Sequence, residues 1–91
     1  MAQAGPDNML REAAALHQAG DLARAEALYR AVLRARPEDP NALHLLGVAL
    51  RQRGRLDEAL PLLDRAVAIR PDNALFRANR GAALADAGRL A

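Results

Sequence analysis

The sequence contains no cysteine, serine, threonine, lysine or tryptophan, and its aromatic residues are limited to Tyr29 and Phe76. Without cysteine, no disulfide or thiolate metal site can stabilise the fold, so the packing of apolar side chains must do so. The usual nucleophiles of covalent catalysis are also missing, apart from the phenol of Tyr29. Each glycine stands alone, so there is no glycine-rich phosphate loop. These absences predict a protein that is not an enzyme and that holds no cofactor.

All 13 basic residues are arginine, and the formal net charge is only +2. The high pKa of arginine explains a sequence pI of about 10.4 without any large excess of positive charge. Arg51, Arg53 and Arg55 form the densest basic run, but residues two apart on a helix point to different faces. Because no aromatic platform accompanies these charges, the sequence does not predict nucleic-acid binding.

The first nine residues, Met1 to Met9, have neither the basic start nor the apolar stretch of a secretory signal. No apolar run approaches the ~20 residues that a membrane-spanning helix needs. We therefore expect a cytoplasmic protein that does not contact a membrane. Abundant alanine and arginine without lysine also fit a GC-rich gene, most simply a bacterial one.

An internal repeat of 34 residues organises the chain. Gly20, Gly54 and Gly88 are 34 residues apart, as are Pro37 and Pro71. When residues 40–73 are placed over residues 6–39, ten of the 34 positions are identical. A fixed period of this length is typical of stacked repeat architectures.

Between the repeated glycines and prolines, the apolar residues recur at helical spacing. Leu43, Leu46, Gly47 and Leu50 fall at i, i+3, i+4 and i+7, which places them on one face of a helix. The pattern and the abundance of alanine and leucine favour an all-α fold. It predicts five helices, at about residues 7–19, 22–35, 40–53, 56–69 and 74–87.

The residues between the helices carry stop and start signals. Asp39 is suited to cap the third helix, with Pro40 as its first residue. Asn73 occupies the corresponding cap position one repeat later. Gly20 and Gly54 are suited to the left-handed position that ends one helix and reverses the chain.

The central repeat resembles the tetratricopeptide repeat through Leu46-Gly47, Leu50, Gly54, Ala59, Ala66 and Pro71. The resemblance implies antiparallel helix-turn-helix repeats stacked as a right-handed α-solenoid. Residues 1–91 would form one domain of about two and a half repeats, at about 6–39, 40–73 and a truncated 74–91. The small residues at 47, 59 and 66 would then mark the closest approach of the paired helices.

The two outer repeats depart from the family pattern. Glu12 replaces a usually apolar residue, which predicts a solvated edge on the first helix. Arg77 and Arg80 replace apolar residues in the fifth helix, whose second, partner helix is missing from the sequence. The uncovered face around Leu84 predicts either a homodimer through the last helix or fraying of the chain after residue 73.

The resemblance implies a scaffold for protein–protein interactions, which binds a peptide or a partner helix in a concave groove formed by the first helix of each repeat. Aligning the repeats predicts that one set of residues lines this groove. The set comprises Asp7, Leu10, Ala14, His17 and Gln18, then Asn41, His44, Val48, Arg51 and Gln52, then Leu75, Ala78, Asn79, Ala82 and Asp86. The partner would be a protein or peptide.

Two narrower functions are not predicted. Family members that grip a C-terminal carboxylate use lysine, asparagine and arginine in this groove. The matching positions here hold Leu10, Ala14, Leu45, Leu75 and Asn79, so only the asparagine remains. The two histidines have no obvious third ligand beside them, and we therefore predict no metal site.

An alternative concerns the protein to which these repeats belong. The phrases at residues 16–20 and 42–47 are similar to the N-terminal repeats of large bacterial proteins that continue into a glycosyltransferase or sulfotransferase domain. The segment would then recruit substrates or assemble the enzyme, and the chemistry would lie beyond Ala91.

Overall fold

The structure, a computed structural model, describes residues 5–90, which form five α-helices. In chain order they are α1 (Pro6–Gln18), α2 (Leu22–Ala35), α3 (Pro40–Gln52), α4 (Leu56–Ile69) and α5 (Ala74–Leu90). The predicted number and order of helices are confirmed, and so is the all-α repeat solenoid. Residues 1–4 and 91, which include part of the start predicted to lack a leader, lie outside the described residues. Among the helices described, none is long and apolar enough to cross a membrane.

The turns form as the sequence predicts. Gly20 and Gly54 have φ angles of 88° and 77°, in the left-handed region that glycine adopts at little cost. The Asp39 carboxylate accepts hydrogen bonds from the backbone N–H groups of residues 41 and 42, at 3.0 and 3.1 Å. The Asn73 side chain accepts one from the backbone of Phe76, at 2.9 Å. These bonds satisfy N–H groups at helix starts that have no partner within the helix.

The third glycine of the series behaves differently from the first two. Gly88 lies inside α5, which continues to Leu90, three residues beyond the predicted end. Glycine permits the left-handed conformation without imposing it. After Gly20 and after Gly54 the next helix packs against the helix before the turn, whereas within the described residues no helix follows α5. Since α5 is helical throughout, fraying after residue 73 is not observed.

Close packing of small residues holds each hairpin together. A Cβ atom added to Gly47 would lie 2.6 Å from the Cδ2 atom of Leu63 and 3.4 Å from the backbone oxygen of Ala59. Ala59 and Ala66 are fully buried. The predicted close contact between α3 and α4 is therefore confirmed. The contact leaves no room for a side chain at residue 47, because the Leu63 side chain and the Ala59 backbone of α4 fill the space beside it.

The core runs along the solenoid as a line of apolar side chains. Its largest fully buried members are Tyr29, Val32, Leu43, Leu46, Leu50 and Leu63. Helix α1 packs on α2, α2 on α3, α3 on α4, and α4 on α5, so each helix is covered mainly by its neighbours in sequence. The molecule is accordingly elongated, with principal extents of 49 × 27 × 19 Å. Glu12 is exposed on α1, as predicted for a solvated edge.

Candidate functional site

The first helices of the repeats, α1, α3 and α5, form one face of the molecule, and α3 lies at its centre. Its accessible row consists of Asn41, Leu45, Val48 and Gln52, at i, i+4, i+7 and i+11. Leu45 is not in the predicted lining set, although the comparison with carboxylate-binding family members matches it to a groove position, as does its helical spacing from Asn41. We call this face the concave groove, because the resemblance assigns the first helices to the concave side.

Small and apolar side chains occupy the middle of the groove. Ala14, Val48 and Ala82 are 34 residues apart, so each repeat contributes one of them, and all three are half-buried. Leu45 lies next to them on α3 and is also half-buried. We call these four residues the groove floor. No charged residue belongs to it.

His17 joins the first repeat to the second at one edge of the groove. Its Nε2 atom lies 2.6 Å from Gln52 Oε1, which can only accept a hydrogen bond, so Nε2 carries the proton. Its Nδ1 atom then accepts from the Tyr29 hydroxyl, at 3.0 Å. The two rings meet edge to face, with centroids 5.9 Å apart. Burial raises the pKa of Tyr29 to about 12, so the phenol stays protonated and can donate.

The corresponding positions of the next repeat hold an ion pair. Arg51 and Asp86 are the repeat equivalents of His17 and Gln52, and their Nε and Oδ2 atoms are 2.6 Å apart. The hydrogen bond from Arg51 lowers the pKa of Asp86, whereas partial burial opposes this. Arg89 approaches the same carboxylate at 3.7 Å. These three side chains and Leu56 line a cleft of about 280 Å³.

His44 does not line the open groove, and its predicted position needs correction. The residue is only 3% exposed, and its ring stacks on Phe76 with centroids 4.3 Å apart and planes 21° apart. Its Nε2 atom lies 3.2 Å from the amide nitrogen of Asn79, which donates to it. The sequence alignment placed His44 on the correct helix but could not show that Phe76 of the next repeat covers it.

Burial also changes the chemistry of this histidine. The pKa of His44 is lowered, and the sole cause is the loss of hydration of the charged form. Its Nδ1 atom is buried without a hydrogen-bond partner within the described chain. A neutral ring fits this environment better than a charged one.

The other predicted groove residues lie at the edges or near one end. Gln18 and Asn41 are exposed at opposite ends of their helices. Leu75 is 62% exposed and Ala78 is exposed on α5, whereas Leu10 is half-buried against the core. The carboxylate of Asp7 is bound by Arg36, which lowers its pKa. The groove therefore has an apolar centre and polar margins.

As predicted, the three arginines of the basic run do not form a single patch. Arg51 turns to Asp86, whereas Arg53 and Arg55 both bind Glu26, at 2.7 and 2.9 Å. The Glu26 side chain is 13% exposed and also accepts from Arg30 of its own helix, at 3.0 Å. These bonds lie between the hairpins, away from the groove floor. Within the residues described, no three histidine, aspartate or glutamate side chains converge as a metal site would require.

Comparisons with known proteins agree with this architecture. A family model described as tetratricopeptide repeat matches residues 10–74. An inactive TPR repeat-containing thioredoxin of Arabidopsis thaliana is 47% identical over 53 residues, which cover 58% of this chain and 8% of that protein. A TPR repeat-containing thioredoxin of the same plant is 41% identical over 56 residues, covering 62% of this chain and 8% of the relative. The match thus spans less than a tenth of either relative.

Proposed function

We propose that this chain, which belongs to the tetratricopeptide repeat family, is a scaffold that binds a segment of a partner protein in the concave groove. The observation that carries the proposal is the groove floor. Ala14, Leu45, Val48 and Ala82 keep part of their apolar surface accessible, and they lie on three helices of which α3 contacts both α1 and α5. Contiguous apolar surface with a polar rim is typical of protein–protein contact sites.

The arrangement supports binding better than catalysis. The polar side chains beside the floor are already engaged with one another, as in the pair of Arg51 with Asp86. His17 is likewise held from both sides of its ring. Neither arrangement leaves an activated nucleophile beside a base, which covalent catalysis requires. A surface on which most polar side chains are already paired with one another is suited to recognising another protein by shape.

A direct test needs a partner and two variants. Proteins retained by the immobilised chain would be identified and purified, and the affinity of one of them would be measured by calorimetry. Val48→Asp places a charge on the floor and should abolish binding. Arg30→Ala, on α2, should leave the affinity unchanged. If both variants bound the partner as the parent does, the groove would not be the binding site.

We also propose that the isolated chain forms a homodimer through α5. Leu84 is 47% exposed, whereas its repeat equivalent Leu50 is fully buried against α4. Pairing two α5 helices would remove Leu84 from water, which favours association by about 1–1.5 kcal/mol for each half-exposed leucine. Sedimentation equilibrium of the parent and of Leu84→Asp would test this. A parent chain that stays monomeric at millimolar concentration would exclude it.

A second role is that of an arm within a larger protein. The chain spans about 8% of the length of the two plant relatives, so repeats of this kind occur in much longer proteins. On this proposal the groove recruits a substrate or a subunit for a catalytic domain elsewhere, of which a glycosyltransferase or sulfotransferase is our candidate. Reading the coding sequence on both sides of residues 1–91 would decide it. A stop codon soon after one further repeat would favour a free-standing adaptor.

A further inference from the structure

We infer that the segment bound in the groove is an amphipathic α-helix with an acidic residue beside its apolar ridge. The inference rests on the proposed function of the groove and specifies the class of partner. It follows from three features of the groove: how its polar groups are paired, how its floor is spaced, and how one end is charged.

The pairing of polar groups argues against an extended peptide. Nine of the predicted groove residues are polar. Six of these are engaged across adjacent repeats, in the contacts of His17 with Gln52, His44 with Asn79, and Arg51 with Asp86. Asp7 is paired with Arg36. The other two, Gln18 and Asn41, lie exposed at opposite ends of their helices. The centre of the groove therefore offers few partners for a peptide backbone.

An extended segment would leave its N–H and C=O groups facing this apolar floor. Buried backbone groups without hydrogen bonds are strongly disfavoured. An α-helix satisfies these groups internally and presents only side chains. The floor therefore favours a helix over a strand.

The spacing of the floor also suits a helix. Ala14, Val48 and Ala82 come from α1, α3 and α5, which contact one another in that order. Helices in contact lie about 8–10 Å apart. Residues i and i+7 of a helix are about 10.5 Å apart along its axis. A partner helix lying across the three helices can therefore place one apolar side chain on each floor residue.

The net charge of the groove near the C-terminal end of α5 predicts the charge on the polar flank of the partner helix. Asp86 lies between Arg51 and Arg89, at 2.6 and 3.7 Å. Two guanidinium groups and one carboxylate leave this corner with a net charge of +1. The adjoining cleft of about 280 Å³ gives a side chain access to it. An acidic residue on the flank of the partner helix complements this charge.

Two displayed peptide libraries of equal length would test the inference with the chain as it stands. In the first, the randomised residues lie on a stable helical scaffold. In the second, alternate prolines in the flanks keep the randomised residues extended. Binders from each library would then be measured against Ala82→Asp, in the floor, and Ala68→Asp, a matched change on an exposed part of α4.

The helical library should yield binders with apolar residues at i, i+7 and i+14, one for each of the three helices that they cross. Ala82→Asp should weaken them at least about tenfold, because it buries an unpaired carboxylate, and Ala68→Asp should not. If the binders that Ala82→Asp weakens came mainly from the extended library, the inference of a helical partner would be wrong. The proposal that the groove is the binding site would still stand. If no binder from either library responded to Ala82→Asp, both the helix and the proposed function would fail.

The acidic residue beside the apolar ridge can be tested separately, through the residues that are enriched in the selected peptides. Selection on the parent chain should enrich glutamate or aspartate at one flanking position of the helical binders. Selection on Arg89→Glu, which reverses the charge of an exposed side chain, should remove that enrichment while keeping the apolar ridge. Equal acidic enrichment on both chains would overturn this part of the inference.

Discussion

Helices α3 and α5 carry the same glycine–leucine pattern but have different surroundings. Gly47 and Leu50 of α3 correspond to Gly81 and Leu84 of α5. Leu50 is fully buried against α4, whereas Leu84 is 47% exposed. A Cβ atom on the first glycine would meet Leu63, whereas one on the second would meet nothing within 4 Å. Equivalent residues of a repeat therefore contribute differently, because burial depends on whether a neighbouring helix is present.

The largest expected difference concerns the two leucines. Leu50→Ala should lower the free energy of unfolding by about 2–5 kcal/mol, because it leaves a cavity between α3 and α4. Leu84→Ala should change it by less than about 0.5 kcal/mol, as is usual for exposed sites. Urea unfolding at low protein concentration would measure both. Equal losses would show that Leu84 is covered in the monomer and would remove the contrast.

The two glycines should give a smaller contrast in the same direction. Gly47→Leu overpacks the contact with Leu63 and should cost about 1–3 kcal/mol. Gly81→Leu meets open space and replaces glycine inside a helix, so it should be neutral or stabilise by up to about 1 kcal/mol. For a domain of this size, 1 kcal/mol shifts the melting temperature by about 4–8 °C. A Gly47→Leu variant that melts with the parent would contradict the close helix contact.

The buried histidine predicts a pH dependence in α3 that α5 lacks, since the repeat equivalent of His44 is Ala78. Burial lowers the pKa of His44 below the usual value of 6.5 in the folded state. Between the two pKa values the unfolded chain binds a proton that the folded chain does not. The contribution of neutral His44 to the free energy of unfolding is therefore fully present above pH 6.5, and it is lost as the pH falls toward the pKa of the folded state.

His44→Phe keeps an aromatic ring against Phe76 and removes the titrating group. The stability of the parent should decrease as the pH is lowered from 7 to 5, and the stability of the variant should decrease less over the same range. Thermal melts of both chains at several pH values provide the measurement. Parallel curves would mean that His44 binds its proton equally well in the folded and unfolded states. Carboxylates whose pKa is lowered, such as Asp86, act at lower pH, below about 4.

The smallest effects should come from ion pairs between helices. Glu26 is 13% exposed and binds Arg53 and Arg55 of the next hairpin, whereas Asp64 is 54% exposed and binds Arg80 of α5. Glu26→Gln should cost up to about 1 kcal/mol, and Asp64→Asn should cost less, because exposed pairs contribute little. Adding salt should narrow the difference. A larger cost for Asp64→Asn would reverse this ranking of the two interfaces.

Much of the fold could be predicted because local signals and the repeat agree. Asp39, Asn73, Gly20 and Gly54 adopt the cap and turn conformations that their chemistry favours. Gly88 carries the same signal, but α5 continues through it. A turn signal takes effect when a following helix packs back, and the described part of the chain has none after α5. Local sequence thus predicts where a turn can form, and packing decides whether it does.

The groove was predicted less completely than the fold. The 34-residue period predicted that Ala14, Val48 and Ala82 occupy equivalent positions on α1, α3 and α5, and all three are half-buried. It could not reveal the contacts between repeats, such as those of His17 with Gln52 and Arg51 with Asp86, which join residues 35 apart. These contacts depend on how far one repeat is displaced along its neighbour. That displacement is a property of the packed helices.

The sequence by itself determined the helices, their ends to within one residue except at α5, and the repeat that stacks them, because caps, glycines and apolar spacing act within a few residues. Only the tertiary structure decided which side chains remain accessible. His44 is covered by Phe76, whereas its repeat equivalent Ala78 is exposed. The physical reason is that burial depends on atoms contributed by the next repeat. The same residue position can therefore be core in one repeat and surface in another.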